Sequence, residues 1–429
     1  MGCCIKANAT DGVVADSIAT DATDIVTAPV TMIHDFIAID TIQPVLTEQP
    51  KKKLNFFQKI GKYFKDSNKV KDKAFDVSFI GGPHYASDTK FGIGLIGAGL
   101  YRMDRQDKTI QPSSVSLFAD ISTVGFWLVG IKGTNIFPHD KYRLNYTLYL
   151  YSFPTRYWGI GYENGSNSDN LTSIKRFQAK IKAEFLIRLT KNLYIGPTVQ
   201  WDYVTGSLDN KYYNPENYRE SDADTPAQME ERMLADRHKR EALFEGQKMT
   251  NRNYSFGAVI TYDSRDNMNN AYKGFFVEVR QLFKPRFLWN DYYGSTTQFE
   301  FDWYKQAWKG SVIAVQLAGQ FNFGNPHWGM MANIGSSNTM RGYYEGQYRD
   351  KHKLEAQVEI RQHIWRRFGM VAWGGVGSAF HDGESFKHLL PNYGLGLRWE
   401  FKHRMNVRLD VGFGKRGTMG FVFNVNEAF

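Results

Sequence analysis

From Phe75 onward apolar and polar residues alternate with a period of two, which in a β-strand gives one dry face and one wet face. Phe177, Ala179, Ile181, Ala183, Phe185 and Ile187 interleave with Gln178, Lys180, Lys182, Glu184 and Arg188. Phe299, Phe301 and Trp303 interleave with Gln298, Glu300 and Asp302. Tyr393, Leu395, Leu397, Trp399 and Phe401 interleave with Gly394, Gly396, Arg398 and Glu400. Charge this regular is ruinous against hydrocarbon and exceeds what solvent exposure alone asks for. The polar faces therefore line a wet interior and the apolar faces meet lipid. The pattern predicts an all-β chain: a single transmembrane antiparallel β-barrel of about 16 strands, counted from the run Phe91 to Met103.

An even strand number brings both termini to one side, expected to be periplasmic. Gly206–Thr250, the connection around Arg341 and His381–Asn392 then fall on the extracellular side. Thr190–Asn192 and Trp365–Arg367 become tight periplasmic turns. Within the longest connection, Ala227–Phe244 is rich in helix formers and reads as a solvated cap.

Upstream of the barrel, expected to occupy 75–429, the pattern changes. Residues 1–9 read as the remnant of a signal peptide, since Ala7-Asn8-Ala9 has a small-x-small cleavage form without the usual preceding regions. Met1 is then a late start, with the mature chain beginning near Thr10. Met-Gly-Cys-Cys also resembles an acylation signal, but Lys6 stands where myristoylation wants Ser or Thr. Residues 10–74 read as a periplasmic leader. It ends in a short basic amphipathic helix with Leu54, Phe57, Ile60 and Phe64 on one side and Lys59, Lys62 and Lys65 between them.

Composition narrows the classes. The longest apolar run, Phe91–Tyr101, is glycine-rich and about half the roughly 20 residues a spanning helix needs. Aromatic residues make up 15% of the chain, with 24 Tyr and 31 Phe, which suits aromatic girdles. A formal charge of +9 favours acidic partners, yet the basic residues form no stripe interleaved with stacking aromatics, which excludes nucleic acid. Cys3 and Cys4 are the only cysteines, so the body holds neither disulfides nor a thiolate metal site. Gly92-x-Gly94-x-x-Gly97 spells a dinucleotide fingerprint, but a strand continues where a helix must begin. No hydrolase, P-loop or metalloprotease motif is present, so neither an enzyme activity nor a cofactor or metal is expected.

One residue stands out against this frame. In Met340-Arg341-Gly342-Tyr343 a permanently charged fork sits among apolar and glycine neighbours, a setting that calls for carboxylates. Leu354–Ile364 alternates so that Glu359 lies on the polar face, within reach of Arg341. This arrangement resembles the BamA/TamA superfamily of outer-membrane barrels, the bacterial surface antigen family. Arg341, Gly342 and Tyr343 match the family's motif on a long loop folded into the lumen, and Glu359 matches a carboxylate of the inner wall. Tyr262-Asp263-Ser264-Arg265-Asp266-Asn267, followed by Gly274, resembles its YDxRDN turn. Gly375-Val376-Gly377-Ser378-Ala379-Phe380 takes the place of a D-x-G wall segment, with Gly375 where the aspartate is expected. Thr418 to Phe429 resembles a C-terminal barrel signal.

The resemblance implies a weakly paired seam between the first and last strands. Gly92, Gly94, Gly97 and Gly99 are expected on one side, and Gly420, Phe423, Val425 and Phe429 on the other. It also implies assistance to the insertion or translocation of proteins or lipids at the bacterial outer membrane. Partners would be outer-membrane lipids including lipopolysaccharide, and nascent barrel clients or exported polypeptides. The stretch before Phe75 lacks the βααββ pattern of the POTRA domains that assembly members carry, so the chain is identified as a POTRA-less member. That departure sustains an alternative: a passive channel or surface scaffold that kept the fold without assembly activity.

Overall fold

The computed structural model describes residues 75–429 apart from 87–89, 105–109, 111, 269, 385, 403 and 426. The signal remnant, leader and basic helix expected within 1–74 lie outside the described residues. The first part of the barrel comprises β1 (Phe75–Ala86), β2 (Lys90–Tyr101), β3 (Ser113–Ser122), β4 (Trp127–Ile136), β5 (Tyr142–Tyr157), β6 (Thr172–Thr190), β7 (Leu193–Leu208) and β8 (Thr250–Asp263). There follow β9 (Gly274–Lys284), β10 (Gly294–Gln306), β11 (Ser311–Gly324) and a short non-barrel pair, β12 (Ala332–Asn333) with β13 (Arg349–Asp350). β14 (His352–Trp365), β15 (Phe368–Phe380), β16 (Leu390–Lys402), β17 (Met405–Phe413) and β18 (Met419–Val425) complete the ring. The sixteen barrel strands are antiparallel and pair in chain order, with β18 returning to β1. Two helices, α1 (Tyr162–Ser166) and α2 (Pro226–Ala242), lie in the β5–β6 and β7–β8 connections.

The run from Phe91 is thus the second strand. β1 precedes it with Gly81-Gly82-Pro83 interrupting its alternation, which hides a strand from a pattern count.

The faces follow the alternation. On β16, Leu395 is 61% exposed on the outer surface whereas Arg398 is 4% exposed on the inner one. Ile181 and Phe185 of β6 are likewise exposed, and Glu184 is buried between Lys182 and Arg280. Connections 209–249, 325–351 and 381–389 lie at one end of the barrel, the loop end, and the turns 191–192 and 366–367 at the other, the turn end.

At the loop end the barrel is filled by its own connections. α2 starts at Thr225, whose hydroxyl accepts from Gln228 N while the Gln228 side chain accepts from Thr225 N, a capping box that fixes the first turn. Met229 and Met233 are buried. Beyond α2, Phe244 stacks on Tyr157 at 4.3 Å and meets Trp328 edge-on at 5.3 Å. Trp328, fully buried, comes from the β11–β14 connection and donates from Nε1 to the Lys248 carbonyl. Arg176 of β6 donates to the Gly329 carbonyl at 2.9 Å. The connection is thereby pinned to the β5–β7 side.

His327 completes this junction. The Gly329 amide donates to its Nδ1, so Nε2 carries the proton and donates to the Lys248 carbonyl at 2.7 Å. Burial pushes its pKa down to about 4, outweighing the Lys248 carbonyl, which raises it.

Two outcomes are expected. Leu395→Arg places a charge on the lipid face and costs roughly 2–4 kcal/mol near the bilayer midplane, read as a lower midpoint for loss of the folded band in heat-modifiability gels. Because the folded imidazole resists protonation, the unfolded chain binds more protons between pH of about 6.5 and about 4, and stability falls as pH falls through that window. The midpoint should drop over this range in the natural chain and drop less in His327→Gln.

Candidate functional site: a buried arginine clamp

Farther along the same connection, Met340 (φ +50°) and Gly342 (φ +118°) both adopt left-handed backbone and turn the chain sharply about Arg341. The connection here lies flat on the last strands. A Cβ on Gly412 of β17 would sit 2.3 Å from the Arg341 carbonyl oxygen, and one on Gly420 of β18 would sit 3.0 Å from Gly342 Cα. Backbone meets backbone because three glycines allow it.

The Arg341 side chain is fully buried. Its Nη2 donates to the Glu359 carboxylate of β14 and, at 3.4 Å, to Gln357 Oε1. Its Nη1 donates to Asp410 Oδ2 of β17 at 2.8 Å. The guanidinium carbon lies 3.7 Å from the centre of the Trp373 ring, an aromatic face that attracts cations.

Each carboxylate is shared further. Glu359 accepts from Arg361 Nε at 2.9 Å, and Asp410 accepts from Arg398 Nη1 at 2.5 Å and Arg408 Nη1 at 3.5 Å. Arg398 Nε also donates to Glu427 Oε2 at 2.8 Å, and Asn406 Nδ2 to Glu427 Oε1 at 2.6 Å. Arg408 Nη2 turns back to the connection, to the Ser337 carbonyl at 2.9 Å and Asn338 Oδ1 at 2.7 Å. Four arginines and three carboxylates form one network. Separate burial of any of these charges would be prohibitive, and the shared hydrogen bonds are what make it tolerable.

Tyr343 extends the attachment. Its Oη donates to the Pro391 carbonyl at 2.6 Å and accepts from Lys415 N at 2.7 Å. Burial pushes the phenol up to about 12, which keeps the donated proton in place.

The second carboxylate is Asp410, and the segment around Gly375 contributes none. A Cβ on Gly375 would already crowd Asn392 Oδ1 at 2.5 Å and the Ala356 carbonyl at 2.7 Å; the contribution of β15 is Trp373. Sequence reasoning missed Asp410, Arg398, Arg408, Arg361 and Glu427. The alternation Asn406, Arg408, Asp410, Gly412 was the available signal, since it puts an acid on the wet face of a late strand.

The turn motif is built by its own side chains. Arg265 is held in a bidentate pair with Asp263, at 3.0 and 2.8 Å, and lies over Phe276. Asp266 Oδ1 accepts from the amides of Tyr272 and Lys273, Asn267 Oδ1 accepts from Asn270 N, and Tyr262 is on the exposed face. Asp266 Oδ2 also takes Arg404 Nη2 at 3.1 Å, which ties this turn to the β16–β17 turn.

The expected seam residues are on a closing strand on one side only: Gly420, Phe423 and Val425 lie on β18, which meets β1. Gly92, Gly94, Gly97 and Gly99 are on β2, paired on both sides to β1 and β3, because the ring closes one strand earlier. Gly420 lies under Gly342, while Phe423 and Val425 pair with Leu409 and Val407. Phe429 lies beyond β18, inside the barrel, 6.1 Å from the Tyr304 ring and 5.0 Å from the Arg361 guanidinium, so it takes no part in the seam. Among the described residues no cluster of His, Cys, Asp or Glu could hold a metal ion.

A family model, the Omp85 superfamily domain, matches residues 134–429. The chain is similar in structure to BamA from Haemophilus ducreyi lacking POTRA domains 1–3, with a TM-score of 0.50 and 10% identity over 82% of this chain and 70% of that one. CdiB from Acinetobacter baumannii gives a TM-score of 0.50 and 9% identity over 83% of this chain and 60% of that one. CdiB from Escherichia coli gives 0.50 and 7% over 83% and 64%. The chain thus spans less than two thirds of either CdiB. No curated protein sequence matches it.

Asp410 serves three arginines and Glu359 two. Asp410→Asn is therefore expected to cost about 3–5 kcal/mol, as for a broken buried ion pair, and Glu359→Gln less. Arg341→Lys, a point charge, should lose one of the two carboxylates. Urea titration of the purified barrel ranks them, and an order with Glu359→Gln the worst would contradict the network.

Proposed function

Because the chain belongs to the Omp85 superfamily, we propose that it inserts or translocates polypeptides at the bacterial outer membrane through a lateral seam between β1 and β18. As a member of that family it resides in the outer membrane; the turn end, where β1 begins and β18 finishes, then faces the periplasm.

One observation carries the reading. In the described residues β1 and β18 share a single registered pair, Ala86 with Val422, whereas β17 and β18 are registered continuously from Val407–Val425 to Phe413–Met419. Beside that pair the Tyr85 and Phe421 rings meet across the two edges at 5.7 Å. Gly81-Gly82-Pro83 lies in the β1 edge, and proline supplies no amide hydrogen to a ladder. Unpaired backbone in lipid costs several kcal/mol per group, so an incoming strand is the natural ligand for both edges. The clamp keeps β14, β17 and β18 in place behind the opening.

A passive channel is the second reading, favoured by a lumenal cavity of about 600 Å³ beside β3–β11. The connection that crosses the lumen from Trp328 to Arg341 counts against a wide pore.

The test is a reversible lock. Ala86→Cys with Val422→Cys, oxidised in cells, is expected to lower the abundance of other outer-membrane barrels or exported polypeptides as depletion of the chain does, with recovery on reduction. Unchanged abundance in both cases, with a steady conductance in planar bilayers, would favour the channel.

A further inference from the structure

At the turn end, the β10–β11 turn (307–310) and the β14–β15 turn (366–367) stand side by side, because β11 and β14 are neighbours in the ring. The two hairpins are clasped to each other. The His363 amide donates to the Gly310 carbonyl at 2.7 Å, and Trp308 Nε1 donates to Gln362 Oε1 at 2.7 Å. Within the second turn His363 Nε2 donates to the Arg366 carbonyl at 2.7 Å. Side chains here are presented from a fixed backbone.

What they present is basic and aromatic. The outward positions of β10 run Phe299, Phe301, Trp303 and then Lys305, with Asp302 and Tyr304 buried between them, so the ammonium stands one step beyond the apolar band. Lys309, Arg366 and Arg367 are exposed beside it. Trp308, Trp365 and Phe368 are each more than half exposed. Trp365 stacks on Phe368 at 6.3 Å, and the Arg366 guanidinium lies over the Trp365 ring at 4.5 Å.

The charge is not answered locally. Neither 303–313 nor 360–370 contains Asp or Glu. The adjacent acid on β16 is Glu400, whose amide donates to the Arg367 carbonyl and whose Oε1 accepts from Arg404 N at 2.8 Å. Among the described residues Lys305, Lys309 and Arg366 form no ion pair. Other arginines at this end are met by acids: Arg143 and Arg188 by Asp140, Arg265 by Asp263 and Arg404 by Asp266.

We infer that these two turns form a docking site for the phosphodiester headgroup of an anionic phospholipid in the leaflet at the turn end. Lys305, Lys309, Arg366 and Arg367 hold the phosphate, and Trp308, Trp365 and Phe368 lie against the glycerol and the upper acyl chains. Exposed tryptophan belongs at that boundary, since its ring is apolar and its edge polar, and lysine lays its stem on apolar surface while the ammonium stays at headgroup height. An arginine fork takes two phosphate oxygens at once. An aromatic girdle is general to barrels of this class, whereas cations without acids select among lipids: a zwitterionic headgroup brings its own ammonium into the patch and an anionic one does not. An acidic protein would meet the same charge, but the outward tryptophans and phenylalanine at the strand ends favour lipid. The site is separated from β18 by β15, β16 and β17, so it stands whether or not the β1–β18 boundary opens.

The test places the full chain in phosphatidylcholine nanodiscs that carry a minor fraction of chain-spin-labelled phosphatidylglycerol or, separately, of chain-spin-labelled phosphatidylcholine. Electron paramagnetic resonance reads the motionally restricted fraction of each label. The natural chain is expected to restrict phosphatidylglycerol at least about twofold more than phosphatidylcholine. That excess should vanish in Lys305→Gln combined with Lys309→Gln and Arg366→Gln. It should persist in Lys211→Gln combined with Arg219→Gln and Lys239→Gln, which removes the same charge from exposed positions at the loop end. Equal restriction of the two labels by the natural chain would overturn the site without recourse to any variant. Equal loss in both triple variants would also overturn it, because net charge alone would then select the lipid. Capture of polyglutamate by the natural chain but not by the first variant, with no preference between the lipids, would assign the turns to an acidic protein instead.

Discussion

A guanidinium sealed from water inside a membrane barrel survives only where carboxylates meet it, and the placement of four strands depends on meeting that condition for Arg341. Glu359 and Asp410 face inward only in the observed registers of β14 and β17; a slip of one residue would turn either acid toward lipid and leave the arginine unpaired. The glycines at 342, 412 and 420 follow from the same condition, since the fork reaches both acids only when its backbone lies directly on the strands. The network thus converts one buried charge into a constraint on register, on loop path and on the approach of the last strand.

The same condition couples strands that are not neighbours in the ring. Strands that contribute to the network or to the ties above and below it share their positions through side chains, not only through ladders. β14 and β17, separated in the ring by β15 and β16, are joined in this way through Arg341.

Much of this was legible in the alternation of residues. The charged faces of β6, β10 and β16 reveal a wet interior, and Arg341 with a carboxylate on Leu354–Ile364 could be read from chemistry and period alone. Alternation reports a face, however, and not a partner. Asp410 sits 69 residues from Arg341 and becomes its ligand only through the ring, so nothing local distinguishes it from Asp302 on another wet face. The position of the seam was hidden for a different reason: Gly81-Gly82-Pro83 breaks the pattern in the very strand that forms one edge, and the glycine-rich β2 looked like the start. Phe429 was assigned to the seam because the end of the chain resembles a C-terminal barrel signal, while its surroundings, Tyr304 and Arg361, are assembled from distant strands.

The path of the β11–β14 connection has a consequence for the order of assembly. Its partners come from both sides of it in the chain: Tyr157, Arg176 and Phe244 are made before it, and Glu359, Asp410, Gly412 and Gly420 after. Such non-local pairings form late, because long stretches of chain must be ordered before they are rewarded. A 27-residue segment filling the lumen, from 325 to 351, cannot be threaded easily into a ring that has already shut. The connection seats most readily while the sheet is still open, before the ring of sixteen strands is complete.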